Sequence, residues 1–482
     1  MRIISIIFLL MCFLTIKAQK SHFDILEDYY DTTLLKQDVR LLRKVFFDMH
    51  PVVGIYHQKS HFDSLFNNTL NKINEPLTHR EFYIQLKFLI NDFQCGHTEV
   101  GVSKTYTKVI KKTKRNYSPY FFVPLNNKLY AIATLNKNND TLIKKGEEIV
   151  AINGYKSDSL IKWCKNFITV DGYNKTGKNY ILQYWFNSLY QSLTVRPDTY
   201  VVDVLNKNNK LYTVKYKSVN LLDIPELPIK PKQDSTLIKY KRAAIKYKIY
   251  KNNNYCYFKL GQFSHRKYKK GYRKLFKKIK QNNINNLVLD LRDNGGGSLS
   301  NCYRLLSYLL DTTLLQTSST VVKSYSEPKY TKGWLSFKIT KLYFKIVGKH
   351  FNKGDTNFYA VNIKPRKKNH FNGKLFVLIN GSSFSASCLT SAYLKYNKRA
   401  VFIGQETSGA LEGCNAGVTP YYTLPNTKLK VRIPVFRINH DIITSKTGRG
   451  IMPDYEITYT FKDLISKKDL ELGKALELLQ IK

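Results

Sequence analysis

The spacing of hydrophobic residues divides the chain into a helical first part and a later part in which apolar strands alternate with helices. From residue 24 to residue 93 the apolar positions recur at helical intervals, and the segment Thr78–Glu81 has the form of a capping box. Gly96 ends the last of these helices, and residues 98–102 alternate like a strand. His97 is therefore expected at a helix-to-strand junction.

Short alternating runs with Asn-rich turns fill residues 106–219. Within them, the pattern predicts a strand over Glu148–Ile152, a tight turn at Asn153-Gly154 and a helix that begins at Ser157. These features predict a small β-rich module. A proline-rich segment follows over 223–238, where we expect a stiff linker and a domain boundary.

The remainder of the chain predicts an α/β fold. Apolar runs alternate with helical segments near Cys302–Leu310 and Ser387–Tyr396. Near-continuous apolar strands joined by helices indicate a largely parallel sheet that is covered on both faces. The runs that we interpret as strands are YCYFKLGQF, NLVLDLRDN, KLFVLIN, AVFIGQ and LKVRIPVFRIN.

A glycine-rich turn follows one of these strands. The strand Leu287–Leu291 leads to three consecutive glycines, Gly295–Gly297, which lack Cβ atoms and can turn their N–H groups toward a ligand. Such N–H groups can bind phosphate or a developing oxyanion. The spacing matches no nucleotide-binding loop, which favours an oxyanion hole; a purely structural turn is the alternative.

The stretch LINGSSFSASCLTSAYL places several hydroxyl side chains at a predicted strand-to-helix turn. The strand Leu375–Ile379 ends shortly before the turn and the helix begins close to Ser387. Ser385 therefore lies where a hydroxyl can stand clear of the sheet. The alternative is that all the serines here only form the turn and cap the helix, which the composition alone would favour.

The first residues have the features of a secretory signal peptide. Arg2 precedes an uncharged apolar run over Ile3–Ile16, and Lys17-Ala18-Gln19 follow. We interpret residues 1–18 as a signal peptide and expect an exported protein, periplasmic or extracellular and associated with the cell envelope. The alternative is a membrane anchor, but the run is shorter than the ~20 residues that a membrane-spanning helix needs.

The chain carries 78 Lys and Arg against 35 Asp and Glu, a net charge of +43. The basic residues are spread among Asn, Tyr and Ile and form no recognisable nucleic-acid module. We therefore expect no nucleic-acid partner and only a loose attraction to anionic envelope surfaces. Beyond residue 18 the cysteines form no CxxC motif, so we expect isolated buried thiols, with one or two disulfides as the alternative.

Four segments together resemble the S41 serine peptidases, the family of C-terminal processing and tricorn-type proteases: NLVLDLRDNGGG, KLFVLINGSSFSASCLTSAYL, AVFIGQETSGA and GRGIMPDYEI. The segment IKKGEEIVAINGYKS is similar to the PDZ-like domain that these enzymes often carry. The resemblance implies a ClpP/crotonase-like α/β catalytic core over 239–482. It also implies a PDZ-like module over 106–222 and an N-terminal helical region over 19–105 that ends in a Gly-His-Thr loop.

The resemblance implies roles for the residues at the two turns. In that family the nucleophile is the first serine of a Ser-Ala-Ser segment, which falls on Ser385, and the oxyanion hole uses N–H groups that fall on Ala386 and Gly296. The processing peptidases take their base from a lysine in a Thr-x-Gly-Lys segment, but Ala410 occupies that position here. A serine hydroxyl is a weak nucleophile without a base, so another residue must serve.

Tricorn-type members instead use a histidine in a Gly-His-Thr context, which is His97 here. An unperturbed imidazole, with a pKa of about 6.5, suits general-base work near neutrality, although a lone loop histidine is more often merely solvated. The glutamate that orients the histidine in that branch aligns with Thr447. Of the acids left within matched motifs, Glu406 and Asp454, we expect Glu406 to take this role.

We therefore expect an exported serine endopeptidase that hydrolyses peptide bonds in proteins or peptides and requires no metal or other cofactor. Two alternatives remain at this point. One is a catalytically degenerate S41 fold that binds peptides, and the other is an envelope scaffold that acts through its basic surface. Ala410, the uncertain acid and Cys388, where processing enzymes usually have glutamate, favour such alternatives.

Overall fold

The computed structural model describes most of the chain between residues 28 and 480. The signal peptide expected over 1–18 and nearly all of the linker expected over 223–238 lie outside the described residues. The described residues are 28–113, 115–135, 142–194, 196–220, 238–240, 244–264, 266–320, 331–332, 338–339, 342, 346, 349–353, 356–445, 447–466 and 468–480.

Helices occur in the N-terminal region, in the β-rich unit and around the main sheet. The described helices are α1 (Thr32–Met49), α2 (Lys59–Asn71), α3 (His79–Asn91), α4 (Lys104–Lys112), α5 (Ser157–Lys165), α6 (Thr176–Leu193), α7 (Tyr268–Gln281), α8 (Leu299–Leu309), α9 (Ala386–Tyr396), α10 (Phe461–Ser466) and α11 (Leu470–Leu478). Within the described ranges, no helix is both long and apolar enough to cross a membrane.

The strands form several separate sheets. They are β1 (Tyr29–Tyr30), β2 (Leu77–Thr78), β3 (Glu99–Gly101), β4 (Asn116–Tyr117), β5 (Tyr120–Leu125), β6 (Lys128–Thr134), β7 (Glu148–Ile152), β8 (Tyr155–Lys156), β9 (Thr199–Leu205), β10 (Leu211–Lys217), β11 (Val219–Asn220), β12 (Ile238–Tyr240), β13 (Ile245–Tyr250), β14 (Tyr255–Leu260), β15 (Asn286–Asp290), β16 (Leu314–Thr320), β17 (Thr331–Lys332), β18 (Lys349–Lys353), β19 (Thr356–Ile363), β20 (Lys374–Ile379), β21 (Val401–Gly404), β22 (Gly413–Ala416), β23 (Tyr421–Thr423), β24 (Lys430–Arg432), β25 (Phe436–Asn439) and β26 (Tyr455–Glu456).

The N-terminal helices pack around aromatic side chains. The Phe46 ring lies 5.1 Å from that of Phe62 and 4.4 Å from that of Phe93, measured between ring centroids. At the start of α3, the Thr78 hydroxyl accepts from the Glu81 N–H, and the Glu81 carboxylate accepts from the Thr78 N–H. The capping box predicted from the sequence is therefore confirmed.

A β-rich unit follows, in which strands β5 to β10 form one sheet with α5 and α6 packed on it around a separate core. The strand at Glu148–Ile152 and the helix from Ser157 are confirmed with the expected bounds. The expectation of short β-runs throughout was wrong for α4 and α6. In α6, Tyr184 and Trp185 face solvent, so the sequence of this helix lacks a clean apolar stripe.

The main sheet has the strand order β12-β13-β14-β15-β20-β21-β26 and is parallel from β14 to β26, as the sequence predicted. Both faces are covered. Leu289 and Val377 share a core with side chains of α8 and α9, whereas Val288 and Leu378 pack against Ala475 of α11. Because side chains alternate along a strand, adjacent residues of β15 and of β20 lie on opposite faces of the sheet.

Two further sheets flank this core. The run LKVRIPVFRIN, expected to be one strand, forms two: β24 pairs with β23 and β3, and β25 pairs with β16 and β22. Pro434 lies between them and has no N–H for a sheet ladder, which accounts for the break. The pairing of β3 with β24 attaches the N-terminal region to the C-terminal part of the chain.

The cysteines are isolated, as expected. Each described cysteine is buried with a free thiol: Cys95, Cys164, Cys256, Cys302, Cys388 and Cys414. Burial in apolar surroundings makes such thiols packing elements.

Candidate active site

Ser385 lies on a strained turn between a strand and a helix. Strand β20 ends at Ile379, and α9 begins at Ala386. Ser385 adopts φ 56° and ψ −118°, a conformation that a non-glycine residue takes only where its surroundings enforce it. Its hydroxyl caps no N–H group of the helix. The side chain is therefore available for a contact outside the helix.

Neighbouring serines are engaged in holding this turn. The Ser383 hydroxyl donates to the Leu291 carbonyl at 2.8 Å, and the Ser387 hydroxyl donates to the Asn294 carbonyl at 2.7 Å. Both hydroxyls belong to buried residues. They tie the turn to the glycine-rich loop. The alternative that a serine here has only a structural role therefore applies to Ser383 and Ser387, and not to Ser385.

The structure brings His97 to Ser385. The two residues are 288 positions apart in sequence, yet His97 Nε2 lies 3.1 Å from Ser385 Oγ. Arg432 of β24 fixes the histidine backbone, because its Nε donates to the His97 carbonyl at 2.9 Å. A Cβ on Gly96 would lie 2.6 Å from Cζ of Phe384, so the approach of the loop requires glycine at this position.

The His97 residue is half-buried at the edge of a cavity, and one side of its ring is covered. It packs on the Phe384 ring, with 4.5 Å between the centroids. Burial, with a smaller contribution from the Arg432 charge, lowers the pKa of His97 to about 3. The imidazole is thus neutral at neutral pH, and the ordinary pKa expected from the sequence does not apply. Within the described part of the chain, His97 Nδ1 is buried without a hydrogen-bond partner.

Ala386 and Gly296 both lie beside Ser385. Strands β15 and β20 are parallel neighbours with Asp290 opposite Leu378, so the loops that follow them meet at one edge of the sheet. Ala386 opens α9, and its N–H has no acceptor within the helix. A Cβ on Gly296 would lie 2.6 Å from Ser385 Cβ and 2.9 Å from Ala386 N. The Gly296 N–H itself donates to Asn294 Oδ1 at 2.9 Å.

The structure does not bring Glu406 to the His97 ring. One carboxylate oxygen accepts from the Gly450 N–H and from Arg449 Nε, each at 2.8 Å; the other accepts from Arg449 and from the Thr176 hydroxyl. Burial would raise the pKa of Glu406, but these donors outweigh it and lower the pKa. The expected orientation of His97 by Glu406 has no contact to support it, because the carboxylate is saturated by other partners. Asp454 instead pairs with Lys395.

Sequence reasoning missed two residues that hold the site together. Asn294 is fully buried: its amide donates to the Leu260 carbonyl at 2.7 Å, and its own carbonyl accepts from the Phe384 N–H at 3.0 Å. Its position directly before the three glycines could have marked it as part of the predicted oxyanion turn. Asp171 accepts from the Gly96 N–H at 2.8 Å, and burial raises its pKa to about 7. No local motif pointed to it.

A cavity of about 400 Å³ adjoins the Ser385–His97 pair. Its apolar side chains come from four elements, α8, α9, β22 and β25: Leu299, Leu389, Cys414, Ala416 and Ile438. A larger cavity of about 1290 Å³, lined in part by His50, Glu412 and Arg437, does not include Ser385. The smaller cavity, and not the larger one, is therefore the one that adjoins Ser385 and His97.

Comparisons with known proteins relate part of the chain to a peptidase family. Residues 254–457 match the model of peptidase family S41. The Chlamydia pneumoniae protein CPj1016/CpB1054 is 27% identical over 122 residues, and this stretch covers 24% of the present chain and only 18% of that protein.

Two solved structures share the fold over most of the chain. A CPAF mutant is similar with a TM-score of 0.64 at 14% identity, covering 93% of this chain and 98% of that chain. Mature CPAF complexed with lactacystin gives a TM-score of 0.62 at 14% identity, with 93% and 98% covered. The family-model match over residues 254–457 thus confirms the resemblance to the S41 peptidases, and the solved structures confirm the α/β fold class expected from the sequence.

Proposed function

We propose that the protein is a serine endopeptidase in which Ser385 is the nucleophile and His97 is the general base. The observation that carries the proposal is the distance of 3.1 Å between His97 Nε2 and Ser385 Oγ. This distance is within the range in which a base takes a proton from a serine hydroxyl. The strained backbone of Ser385 supports it, because such strain clusters at functional sites.

The reaction begins with neutral His97 accepting the Ser385 hydroxyl proton at Nε2 while Oγ bonds to the substrate carbonyl carbon. The Ala386 N–H, at the positive end of α9, donates to the resulting oxyanion. A second donor comes from the glycine turn, where Gly296 serves once its N–H shifts from Asn294. His97 then protonates the leaving amine, and water, deprotonated by His97, hydrolyses the acyl-enzyme.

We propose a Ser–His pair without a carboxylate on His97 Nδ1. Nδ1 has no partner within the described ranges, and Glu406 is engaged by Arg449, Gly450 and Thr176. The loop is instead held by the Gly96 N–H bond to Asp171 and by the Arg432 bond to the His97 carbonyl. These contacts fix the backbone of the loop, and the Phe384 ring supports the imidazole, so that part of the positioning role of a third residue is met by other groups.

The cavity beside Ser385 supports a preference for an apolar side chain next to the scissile bond. Leu389, Ala416 and Ile438 line it and offer no charge to a substrate. Desolvating a charged substrate side chain against such a wall would cost free energy without compensation. We therefore propose extended or unfolded polypeptides with apolar residues as substrates, and, from the sequence of residues 1–18, action outside the cytoplasm.

Hydrolysis of unfolded casein tests the proposal. The wild type should release peptides, and Ser385→Ala and His97→Gln should each lower kcat/KM about a thousandfold or more, because the nucleophile and the base act as a unit. Ser382→Ala is the matched control and should retain wild-type turnover.

A second candidate function is peptide binding without hydrolysis, which the unpartnered Nδ1 of His97 favours. Folded wild-type protein that binds casein but leaves it intact over pH 6–9 would establish this alternative and contradict the peptidase proposal.

A further inference from the structure

A third cavity, of about 290 Å³, is lined mainly by basic side chains. It lies against the outer sides of α7 and α8 and shares no lining residue with the cavity beside Ser385. Five of its six lining side chains are basic and the sixth is a tyrosine: Lys269, Lys270, Arg273, Arg304, Arg366 and Tyr308. A concave surface of one charge sign concentrates the electrostatic potential.

The basic side chains of this cavity lack a carboxylate partner in the described part of the chain. Among the described residues, none of the five lies within ion-pair distance of a carboxylate, whereas Arg292, Arg399 and Arg449 each reach one. Five like charges around one cavity repel one another, and no acidic side chain offsets that repulsion. An anion bound in the cavity would offset it.

Arg366 is held in position with an unused donor. Its guanidinium lies over the Tyr308 ring, 4.8 Å from the centroid, and its backbone N–H donates to the Ser307 carbonyl at 2.7 Å. Its Nε atom is buried and lacks an acceptor within the described ranges. A buried donor left without an acceptor is costly, so a ligand oxygen that reached it would remove a penalty as well as form a bond.

The fold also fixes the direction of the basic face of α7. Tyr272, Leu275, Phe276 and Ile279 are buried in the core, whereas Lys269, Lys270 and Arg273 are exposed. A basic amphipathic helix with a free apolar face would insert into a membrane interface. Here the apolar face is already buried in the core, so only the basic side chains of the helix are available to bind a ligand.

We propose that this cavity is a binding site for phosphate groups. Phosphate carries more than one negative charge and accepts paired N–H bonds from guanidinium groups, which Arg304 and Arg366 supply. A single carboxylate would offset only one of the five positive charges. The phosphate belongs either to a soluble phosphorylated molecule or to a phospholipid head group, and the two sources share the same recognition chemistry.

Titration of the full-length mature protein with pyrophosphate tests the site. Isothermal titration calorimetry at physiological ionic strength should detect binding that weakens about tenfold or more in Arg304→Gln/Arg366→Gln. Lys207→Gln/Lys210→Gln is the matched control, because it removes the same charge from an exposed turn of the β-rich unit. Should the first variant misfold, Lys269→Gln/Arg273→Gln alters exposed side chains of the same cavity.

Sedimentation with vesicles distinguishes the two sources. Binding to phosphatidylcholine vesicles that contain phosphatidic acid, a phosphomonoester, assigns a lipid head group if it is lost in the cavity variant and kept in the control. Pyrophosphate binding with the same pattern, without vesicle binding, assigns a soluble ligand. Equal losses in the cavity and control variants would mean that only the net charge attracts anions, and the proposal would be wrong. Absence of binding to both probes would contradict it equally.

Discussion

At the scale of single residues, His97 reaches Ser385 because the residue before it has no side chain. The Phe384 ring occupies the space next to Gly96 and also packs on the His97 ring. The same ring therefore limits how closely the loop approaches and supports the imidazole. Gly96 and Phe384 act on the geometry of the site without contributing a proton or a nucleophile.

Gly96→Ala should impair turnover through geometry alone. Its Cβ would lie 2.6 Å from Phe384, so the ring or the loop must move and the His97–Ser385 distance must change. A displacement of this kind costs about tenfold to a hundredfold in kcat/KM. Gly101→Ala in the strand that follows is the control, because its nearest neighbour is 3.9 Å away. Equal activity of the two variants would refute the role of this contact.

The sequence pointed to Ser385 and His97 because each stands in a short motif at the end of a regular element, and the structure brings the two together. The position of Glu406 could not be predicted in the same way. Its partners Arg449 and Thr176 are 43 and 230 residues away, and only the folded chain shows that they occupy the carboxylate. The roles of Ser385, His97 and Glu406 in catalysis remain predictions.

At the scale of elements, one arginine joins the main sheet to the C-terminal helix. Arg292 follows β15 and binds Asp290, and it also binds Asp469 and Glu471 at the start of α11. Burial would raise the pKa of Asp290, but Arg292 and Lys259 hold it at about 2. The carboxylate of Asp290 is fully buried, so its charge depends on these partners.

Arg292→Leu should destabilise the protein by about 3–5 kcal/mol at neutral pH, since it leaves the buried Asp290 charge poorly compensated. Urea unfolding measures the change, with exposed Lys251→Leu as the control. Because the folded pKa of Asp290 is depressed, its contribution is present above pH 4 and is lost as the pH falls toward about 2. A change of less than about 1 kcal/mol would show that the network is not a structural link.

The elements differ in how well the sequence predicted them. The parallel strands and the capped helix α3 were predicted correctly because the apolar residues of each element recur at a regular spacing. Helix α6 was missed because aromatic residues lie on its exposed side as well as its buried side. Pro434 was a local signal for the division of LKVRIPVFRIN, but the different strands with which β24 and β25 pair lie far away in the chain and could not be read from the local pattern.

At the scale of the whole molecule, the protein buries several neutral histidines. Burial lowers the pKa of His50 and His97 to about 3 and that of His79 and His440 to about 4. Below about pH 6.5 the unfolded chain takes up protons that the folded chain does not bind. The free energy of unfolding should therefore fall on acidification from pH 6.5 to about 4. Three aspartates whose pKa burial raises act in the opposite direction, but the four histidines outnumber them: Asp38, Asp92 and Asp171.

Thermal unfolding at a series of pH values checks this expectation. Each such histidine contributes a slope of about 1.4 kcal/mol per pH unit between its unfolded and folded pKa values. The melting temperature should drop between pH 7 and pH 4.5, and His440→Gln should make the drop shallower. A melting temperature that stayed constant or rose over this interval would contradict the burial of neutral imidazoles.

The central claim, that His97 activates Ser385, is tested most directly by a fluorophosphonate probe, which reacts with activated serines. Mass spectrometry of the labelled wild-type protein should place the adduct on Ser385. Labelling should disappear in Ser385→Ala and fall strongly in His97→Gln, and it should persist in Ser382→Ala. Folded wild-type protein that takes up no label, or a His97→Gln variant that labels as fast as the wild type, would contradict the account.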